Sequence, residues 1–257
     1  MRIDIMTLFP DTMSAMLGES ILGRAAAKDI IEINCIQIRD YTDNKQKQVD
    51  DYPYGGGWGC VMMAQPLKAC LDHILESAEG RKTRVIYMSP QGTTFDQGKA
   101  RQLKADYDHL VLVCGHYEGV DERFLDECVD EEISIGDFVL TGGEMPAMVV
   151  CDCVCRMVPG VLSDEECFTG ESHWDGLLEY PQYTRPEIWE GRSVPDILRS
   201  GHHANVAKWR RKQSIIRTME RRPDMYEKLV FTEKSDKKLL VEIEKELEQK
   251  NLEITED

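Results

Sequence analysis

Short runs of branched apolar residues alternate with amphipathic stretches through the first half of this 257-residue sequence, and that alternation leaves few folds open. Residues 3–9, 31–38, 85–88 and 110–114 have the length and the Val, Ile and Leu content of buried strands. Residues 10–28, 65–78, 95–106 and 122–129 repeat their apolar positions at helical spacing. Strands that alternate with helices pair in parallel through helical crossovers, so an α/β fold of βαβ units on a mainly parallel sheet is predicted. Such sheets hold ligands beyond the carboxyl ends of their strands, which directs attention to the loops after Met88, Cys114 and Ser134.

The pattern then changes. A longer apolar helix is expected over residues 145–157, stopped near Pro159-Gly160. Residues 163–173 are polar and weakly patterned and read as a linker. Beyond Pro181, Pro186 and Pro195, residues 199–222 and 227–248 are helical in pattern and carry no strand signal. The expected organisation is a first domain over 1–162, a linker over 163–175 and a small, mostly helical second domain over 176–257.

With 42% hydrophobic and 30% charged residues the chain can bury a large core without disulfides or a metal. That composition excludes collagen-like, disordered and small disulfide-stapled classes. No apolar stretch approaches the roughly 20 residues that span a bilayer, and Asp4 falls where a signal peptide would be apolar. A cytoplasmic protein with no membrane partner is expected. The nine cysteines have mostly apolar neighbours and read largely as small buried hydrophobes. Alternate spacing in Cys151-Asp152-Cys153-Val154-Cys155 fans three thiols around a helix instead of converging them on one ion, so no metal site is expected.

The formal charge of -16 is unevenly spread. Between residues 196 and 222, Arg199, Lys208, Arg210, Arg211, Lys212, Arg217, Arg221 and Arg222 face only Asp196 and Glu220. After Leu240 the sign reverses, with Glu242, Glu244, Glu246, Glu248, Glu253, Glu256 and Asp257 against Lys245 and Lys250. The basic block suits phosphate neutralisation, or is a wet surface and nothing more; the acidic block reads as a solvated, fraying helix end.

Four glycine-bearing loops carry the remaining signal: Tyr54-Gly55-Gly56-Gly57-Trp58-Gly59, Ser89-Pro90-Gln91-Gly92, Gly115-His116-Tyr117-Glu118-Gly119 and the stretch 135–144. None continues into the Gly-Lys-Ser/Thr of a P-loop, and none matches the Gly-x-Gly-x-x-Gly of a dinucleotide fold. Taken singly they are ordinary tight turns. Three of them follow expected strands and so gather at one sheet edge, where an apolar loop of backbone donors and acceptors suits adenine or another flat heterocycle better than a triphosphate.

Several strings also carry a resemblance. Ser89-Pro90-Gln91-Gly92, Gly115-His116-Tyr117-Glu118-Gly119-Val120-Asp121-Glu122-Arg123, Ser134-Ile135-Gly136-Asp137-Phe138-Val139-Leu140-Thr141-Gly142-Gly143-Glu144 and Tyr183-Thr184-Arg185-Pro186 resemble the bacterial tRNA (guanine-37-N1)-methyltransferase family of the SPOUT class. Asp50-Asp51-Tyr52-Pro53-Tyr54-Gly55-Gly56-Gly57 and Pro159-Gly160-Val161-Leu162 fit too, and the match runs from Leu8-Phe9-Pro10 to about Arg222. The resemblance implies a homodimer in which the cofactor loops of a SPOUT-type parallel sheet form a deep trefoil knot, an arrangement that pattern reasoning alone would never propose. It implies S-adenosylmethionine bent in that knot against Tyr87, Met88, Ser89, Pro90, Gln91, Gly115, Tyr117, Ser134, Ile135, Gly136, Asp137, Phe138, Val139, Leu140, Gly142, Gly143 and Pro146. Glu118 is carried over near the methionine end, where it faces the sulfonium or a magnesium ion.

The implied reaction sets its own demands. N1 of guanine carries a proton and is a poor nucleophile, so a base must take that proton as the methyl arrives. Negative charge then builds toward O6, where a fixed cation is favoured in the transition state. The family's base is an aspartate in an Asp-Ser pair shortly before Gly-Leu-Leu; here Glu171-Ser172-His173-Trp174-Asp175-Gly176-Leu177-Leu178 puts Glu171 there, one methylene longer, with Asp175 as the alternative. Arg156 matches the family arginine near the target base, and a cation there also suits the end of a helix. Asp50, Gly55, Gly56 and Gly57 match the part that closes around a flipped guanine, and Lys208, Arg210, Arg211, Lys212 and Arg217 become a phosphate-tracking surface for tRNA. Trp209 belongs either to that surface or to a core. Two other readings stay open: a SPOUT methyltransferase acting on another RNA atom such as a ribose hydroxyl, and a non-catalytic RNA-binding relative, which only the aspartate-to-glutamate change favours.

Overall fold

The computed structural model describes residues 1–255, with side chains as far as residue 249, and it divides into two compact units, Met1–Glu165 and Glu166–Asp257. The first unit runs β1 (Arg2–Thr7), α1 (Pro10–Leu17), α2 (Ser20–Ala26), β2 (Glu32–Gln37), β3 (Asp50–Asp51), β4 (Val61–Met62), α3 (Ala64–Ser77), β5 (Thr83–Thr94), α4 (Gln97–Asp106), β6 (His109–Cys114), α5 (Glu122–Cys128), β7 (Glu131–Ser134) and α6 (Glu144–Cys155). Five of these strands form one parallel sheet in the order β2-β1-β6-β5-β7. The alternation in the sequence is thus the crossover pattern of that sheet. Helices α3 and α5 cover one face, where Leu67, Leu71, Ile74 and Phe124 pack against Met6, Val85, Tyr87, Val111 and Val113. On the other, α1 and α4 each touch α6. Strands β1 and β6, central and covered twice, are buried along their whole length, which is why both read as unbroken apolar runs.

Three local features depart from expectation. The helix expected over residues 10–28 breaks between α1 and α2, where Gly18 caps α1 and Ser20 takes a positive φ of 56°, and Gly23 then backs so closely onto Gly18 that a Cβ there would lie 1.8 Å from the Gly18 carbonyl oxygen. Strand β5 runs on past Met88 to Thr94, its pairing with β7 interrupted by a bulge between Met88 and Thr93. The short antiparallel pair β3 and β4 brackets the Gly55–Gly59 loop, and two-residue strands leave no period to detect.

The amino-terminal ends of β1, β2 and β6 hold a buried polar network. Asp4 and His109 are both fully buried, with His109 Nε2 2.9 Å from Asp4 Oδ2. Arg2 Nε donates to the same oxygen at 2.9 Å, Asn34 Nδ2 donates to Oδ1 at 2.7 Å, and Arg2 also donates to Ser77. Burial pushes the Asp4 carboxyl up, but hydrogen bonds from His109, Arg2 and Asn34 outweigh it and hold the group below its usual value. A depressed carboxylate stabilises the fold fully above its unfolded pKa of about 4 and loses that contribution as pH falls through the folded value. Asp4→Ala, which strands Arg2 and His109 without their acceptor, is expected to cost about 3–5 kcal/mol in urea unfolding at pH 7. The gap should narrow below about pH 4, and a variant as stable as the parent at pH 7 would contradict it.

The second unit contains α7 (Glu166–Thr169), β8 (Ile188–Trp189), β9 (Arg192–Ser193), α8 (Asp196–Arg199), α9 (His203–Arg221), α10 (Pro223–Tyr226) and α11 (Lys234–Thr255). It is mostly helical, as expected, with a small hairpin added by β8 and β9. Part of the stretch read as linker is folded: α7 begins at Glu166, buried Phe168 lies 5.1 Å from the Trp174 ring, and His173 N donates to Leu177 O at 2.8 Å. Those apolar residues are too irregularly spaced to have registered as a helix or strand. The acidic segment after Leu240 is also not a fraying end over its described part. Ile243, with Leu239, packs on Leu177 and Ile215, and Lys208 and Lys212 of α9 meet Glu242 at 2.7 Å and Glu246 at 2.5 Å. Glu256 and Asp257 lie outside the described residues, as do the side chains of Lys250 and Glu253.

Candidate functional site

The carboxyl ends of β5, β6 and β7 open into a cavity of about 290 Å³. Every residue that the sequence reading assigned to the cofactor lines it, from Tyr87 through Gln91, at Gly115, Tyr117 and Glu118, and from Ser134 to Pro146, with the exception of Asp137. Asp137 is exposed and is not among the lining residues. The reading missed His116, Gly119, Val120, Glu122, Leu125, Glu132, Ile133 and Thr141, which also line it. Glu122 and Leu125 come from α5, whose approach to the cavity depends on packing and leaves no local signal.

Backbone contacts build the walls. Ser89 Oγ accepts from Gln91 N at 3.1 Å, and the Ser134 hydroxyl both accepts from Gly136 N and donates to Gly136 O, at 3.1 and 3.0 Å. Gly143 N donates to Gly115 O at 2.9 Å, and Gly142 bridges His116, so the loop returning from β7 is stitched to the loop leaving β6. Gly92 sits so close to β7 that a Cβ would lie 2.4 Å from the Glu132 carbonyl carbon. Tyr117 adopts the left-handed conformation, φ 61°, at a cost of about 1–3 kcal/mol, and its hydroxyl accepts from Arg39 Nη2 at 3.1 Å.

The cavity is polar in a particular sense. Glu118, Glu122 and Glu132 line it, and among the described residues no lysine or arginine does, so its field favours a cationic or neutral ligand over a phosphate. Burial, reinforced by Glu132 and Glu122, pushes the Tyr87 hydroxyl up to about 12, keeping it a neutral donor at any working pH. Phe138 and Val139 are exposed and form an apolar lip. Glu144, in the first turn of α6, accepts from Thr7 Oγ1 at 2.8 Å and lies 2.9 Å from His116 Nε2.

The Gly55–Gly59 loop belongs to this rim. Glu118 N donates to Cys60 O at 3.0 Å and Met62 N to Gly119 O at 2.9 Å, and Gly59 leaves no room for a Cβ beside the Glu118 side chain. Gly55, Gly56 and Gly57 all have positive φ, and the loop presents Tyr54 and Trp58 almost fully to solvent. Asp50, on β3, pairs with Met62 at the base of this loop.

Arg156 caps the carboxyl end of α6, its N–H donating to Asp152 O at 3.0 Å. Glu171 follows α7 in the second unit, half-buried, its carbonyl accepting from Trp174 N at 3.4 Å. Asp175 is engaged elsewhere: it and Asp236 form ion pairs with Arg211, and these two carboxylates, Asp236 foremost, hold that guanidinium charged. Arg210 lies over the Tyr180 ring, Arg217 donates to Glu179 O at 3.2 Å, and Trp209 is half-buried beside Tyr183. Lys208, Arg211 and Lys212 of the basic block are therefore matched by carboxylates of α11, which a local charge count does not reveal.

Of the nine cysteines, Cys70, Cys114, Cys151 and Cys155 are buried, four are intermediate and Cys167 is exposed, so burial is less general than expected. Among the described residues no group of three or more His, Cys, Asp or Glu converges as a metal site, and no helix is long and apolar enough to cross a membrane.

Fold and cavity together define an α/β protein with a cavity at the carboxyl edge of a parallel sheet and a mostly helical second unit. A family profile described as tRNA (Guanine-1)-methyltransferase TrmD matches residues 1–228. A tRNA (guanine-N(1)-)-methyltransferase of Ruminiclostridium cellulolyticum is 56% identical over 229 residues, covering 89% of this chain and 97% of that protein. Proteins of the same name from Clostridium acetobutylicum, 55% identical over 240 residues, and Alkaliphilus oremlandii, 52% over 238, cover 93% and 91% of this chain and 96% and 95% of their own lengths. The chain belongs to the tRNA (guanine-1)-methyltransferase family and is a methyltransferase.

Proposed function

We propose that the chain transfers the methyl group of S-adenosylmethionine to N1 of guanine 37 in tRNA, acting in the cytoplasm as a homodimer whose cofactor loops are threaded as a trefoil knot. The observation that carries this reading is the cavity itself: loops far apart in the chain meet around it, and all but one of the residues expected to hold the cofactor line it. Its residues fit such a ligand. Gly143 and Gly92 leave a cradle that a Cβ would fill, the lip is apolar enough for an adenine face, and the glutamates suit a sulfonium. Glu118, which lines the cavity, would balance the sulfonium charge or hold a magnesium ion.

When bound, S-adenosylmethionine supplies an electrophilic methyl group. Glu171, which stands where the family resemblance puts the base, accepts the N1 proton of guanine. Arg156 stabilises the charge that develops at O6. Asp50 and the loop of Gly55, Gly56 and Gly57 close on the flipped base, and Tyr54 and Trp58 offer exposed rings for stacking. Lys208, Arg211, Lys212 and Arg217 meet phosphates, which displace some of the α11 carboxylates from their cations, and Arg210, on the Tyr180 ring, belongs to the same RNA-facing surface. A homodimer is supported by Met16 on α1 and by Met145 and Val149 on α6, three exposed apolar side chains on two helices that touch.

Calorimetric titration with S-adenosylmethionine tests the cofactor half of this reading. One site per chain is expected, and the absence of saturable binding would contradict it.

A further inference from the structure

The second unit holds a cavity of its own that methyl transfer does not use. It measures about 510 Å³, well within the roughly 300–1,000 Å³ of small-ligand sites, and all of its lining residues belong to that unit. Leu198 and Val206 give it an apolar side. Tyr180 and Tyr183 add rings, and, among the described residues, three arginines, Arg185, Arg199 and Arg210, line it against one carboxylate, Glu187.

These groups are not equivalent. Arg199 is held in ion pairs with Glu187 and Asp196, so it shapes the rim. Arg210 lays its guanidinium 4.7 Å from the centroid of the Tyr180 ring, which makes one flat, cationic stack. Tyr183 is 49% exposed, with its ring centroid 6.4 Å from that of Trp209, so its side chain is open to a further partner. An apolar slot with stacking planes and surplus guanidinium charge is the opposite of the glutamate-lined cavity on the sheet. It suits a ligand that is flat on its faces and anionic at one end.

We infer that this cavity takes one unstacked nucleotide of the RNA substrate, its base on Tyr183 and the Arg210–Tyr180 stack and its phosphate met by Arg185. Single-stranded bases are held in this way on aromatic and guanidinium planes, with little dependence on which base is present. The inference rests on tRNA being the substrate. It adds a second anchoring point, separate from the guanine that reacts.

The test compares the parent, Tyr183→Ala and Tyr183→Trp for tRNA binding, melting temperature and binding of S-adenosylmethionine. It also maps the photo-cross-links of a tRNA transcript carrying 4-thiouridine. Loss of one stack should weaken tRNA binding about tenfold in Tyr183→Ala, and Tyr183→Trp should restore it, with cofactor binding and melting temperature unchanged. Cross-links should fall on the peptide spanning residues 180–185. Undiminished tRNA binding by Tyr183→Ala, or cross-links confined to other peptides, would overturn the nucleotide site alone. A parent chain that binds the cofactor but no tRNA would overturn the substrate reading along with it.

Discussion

Glu171→Gln is expected to lower methyl transfer by about 10²–10⁴-fold while leaving the affinities for S-adenosylmethionine and tRNA unchanged. Glutamine keeps the length and one acceptor oxygen of the side chain but takes no proton, so a loss confined to turnover isolates the proton-transfer step. Glu171→Asp should recover part of the rate, because the carboxylate survives but its reach shortens by one carbon–carbon bond. Asp175→Asn is the informative companion. Asp175 is paired with Arg211, which also holds Asp236, so its loss should loosen the helical unit and tRNA binding more than the chemistry. Full activity in Glu171→Gln with none in a still folded Asp175→Asn would exchange the two roles.

Gly143→Ala is expected to weaken S-adenosylmethionine binding by at least about tenfold and to lower the melting temperature by several degrees, with about 1–3 kcal/mol of overpacking behind both effects. The backbone at Gly143, φ -81° and ψ -3°, is one that alanine adopts readily, so conformational strain is not the obstacle. Space is. A Cβ would lie 2.8 Å from Cys114 Cα and 3.1 Å from Gly115 N, both main-chain atoms at the end of a central, fully buried strand, and 3.2 Å from Met88 Cβ. Relief requires the β7 return loop to move away, which breaks the Gly143 N to Gly115 O hydrogen bond that joins two walls of the cavity. Unaltered binding and melting in this variant would mean that the wall is not rigid.

Legibility in the sequence followed burial and period. Strands β1 and β6 and helices α3, α4 and α5 come close to their expected limits because each has a continuous or regularly spaced apolar signal. The cavity was legible as a place, since the loops after Met88, Cys114 and Ser134 must meet at one sheet edge, and the residues carried over by resemblance line it apart from Asp137. What stayed hidden is relational. Nothing near Lys208, Arg211 or Lys212 in sequence announces Glu242, Asp236 or Glu246, some 25 to 34 residues away on another helix. The folding of residues 166–179 rests on a few scattered contacts, Phe168 with Trp174 and Glu179 N with Ser172 Oγ, which have no period to detect. The nucleotide cavity of the helical unit was likewise invisible, because its arginines and tyrosines come from a loop and two helices.

The central claim is that this chain methylates N1 of guanine 37. Its most direct test incubates the protein with S-adenosylmethionine and two tRNA transcripts, one with guanine at position 37 and one with adenine, followed by digestion to nucleosides and mass spectrometry. The account predicts 1-methylguanosine from the guanine transcript and no methylated nucleoside from the other. Cofactor binding without any methylated product from either transcript, or a methyl group on a ribose or another base position, would contradict it.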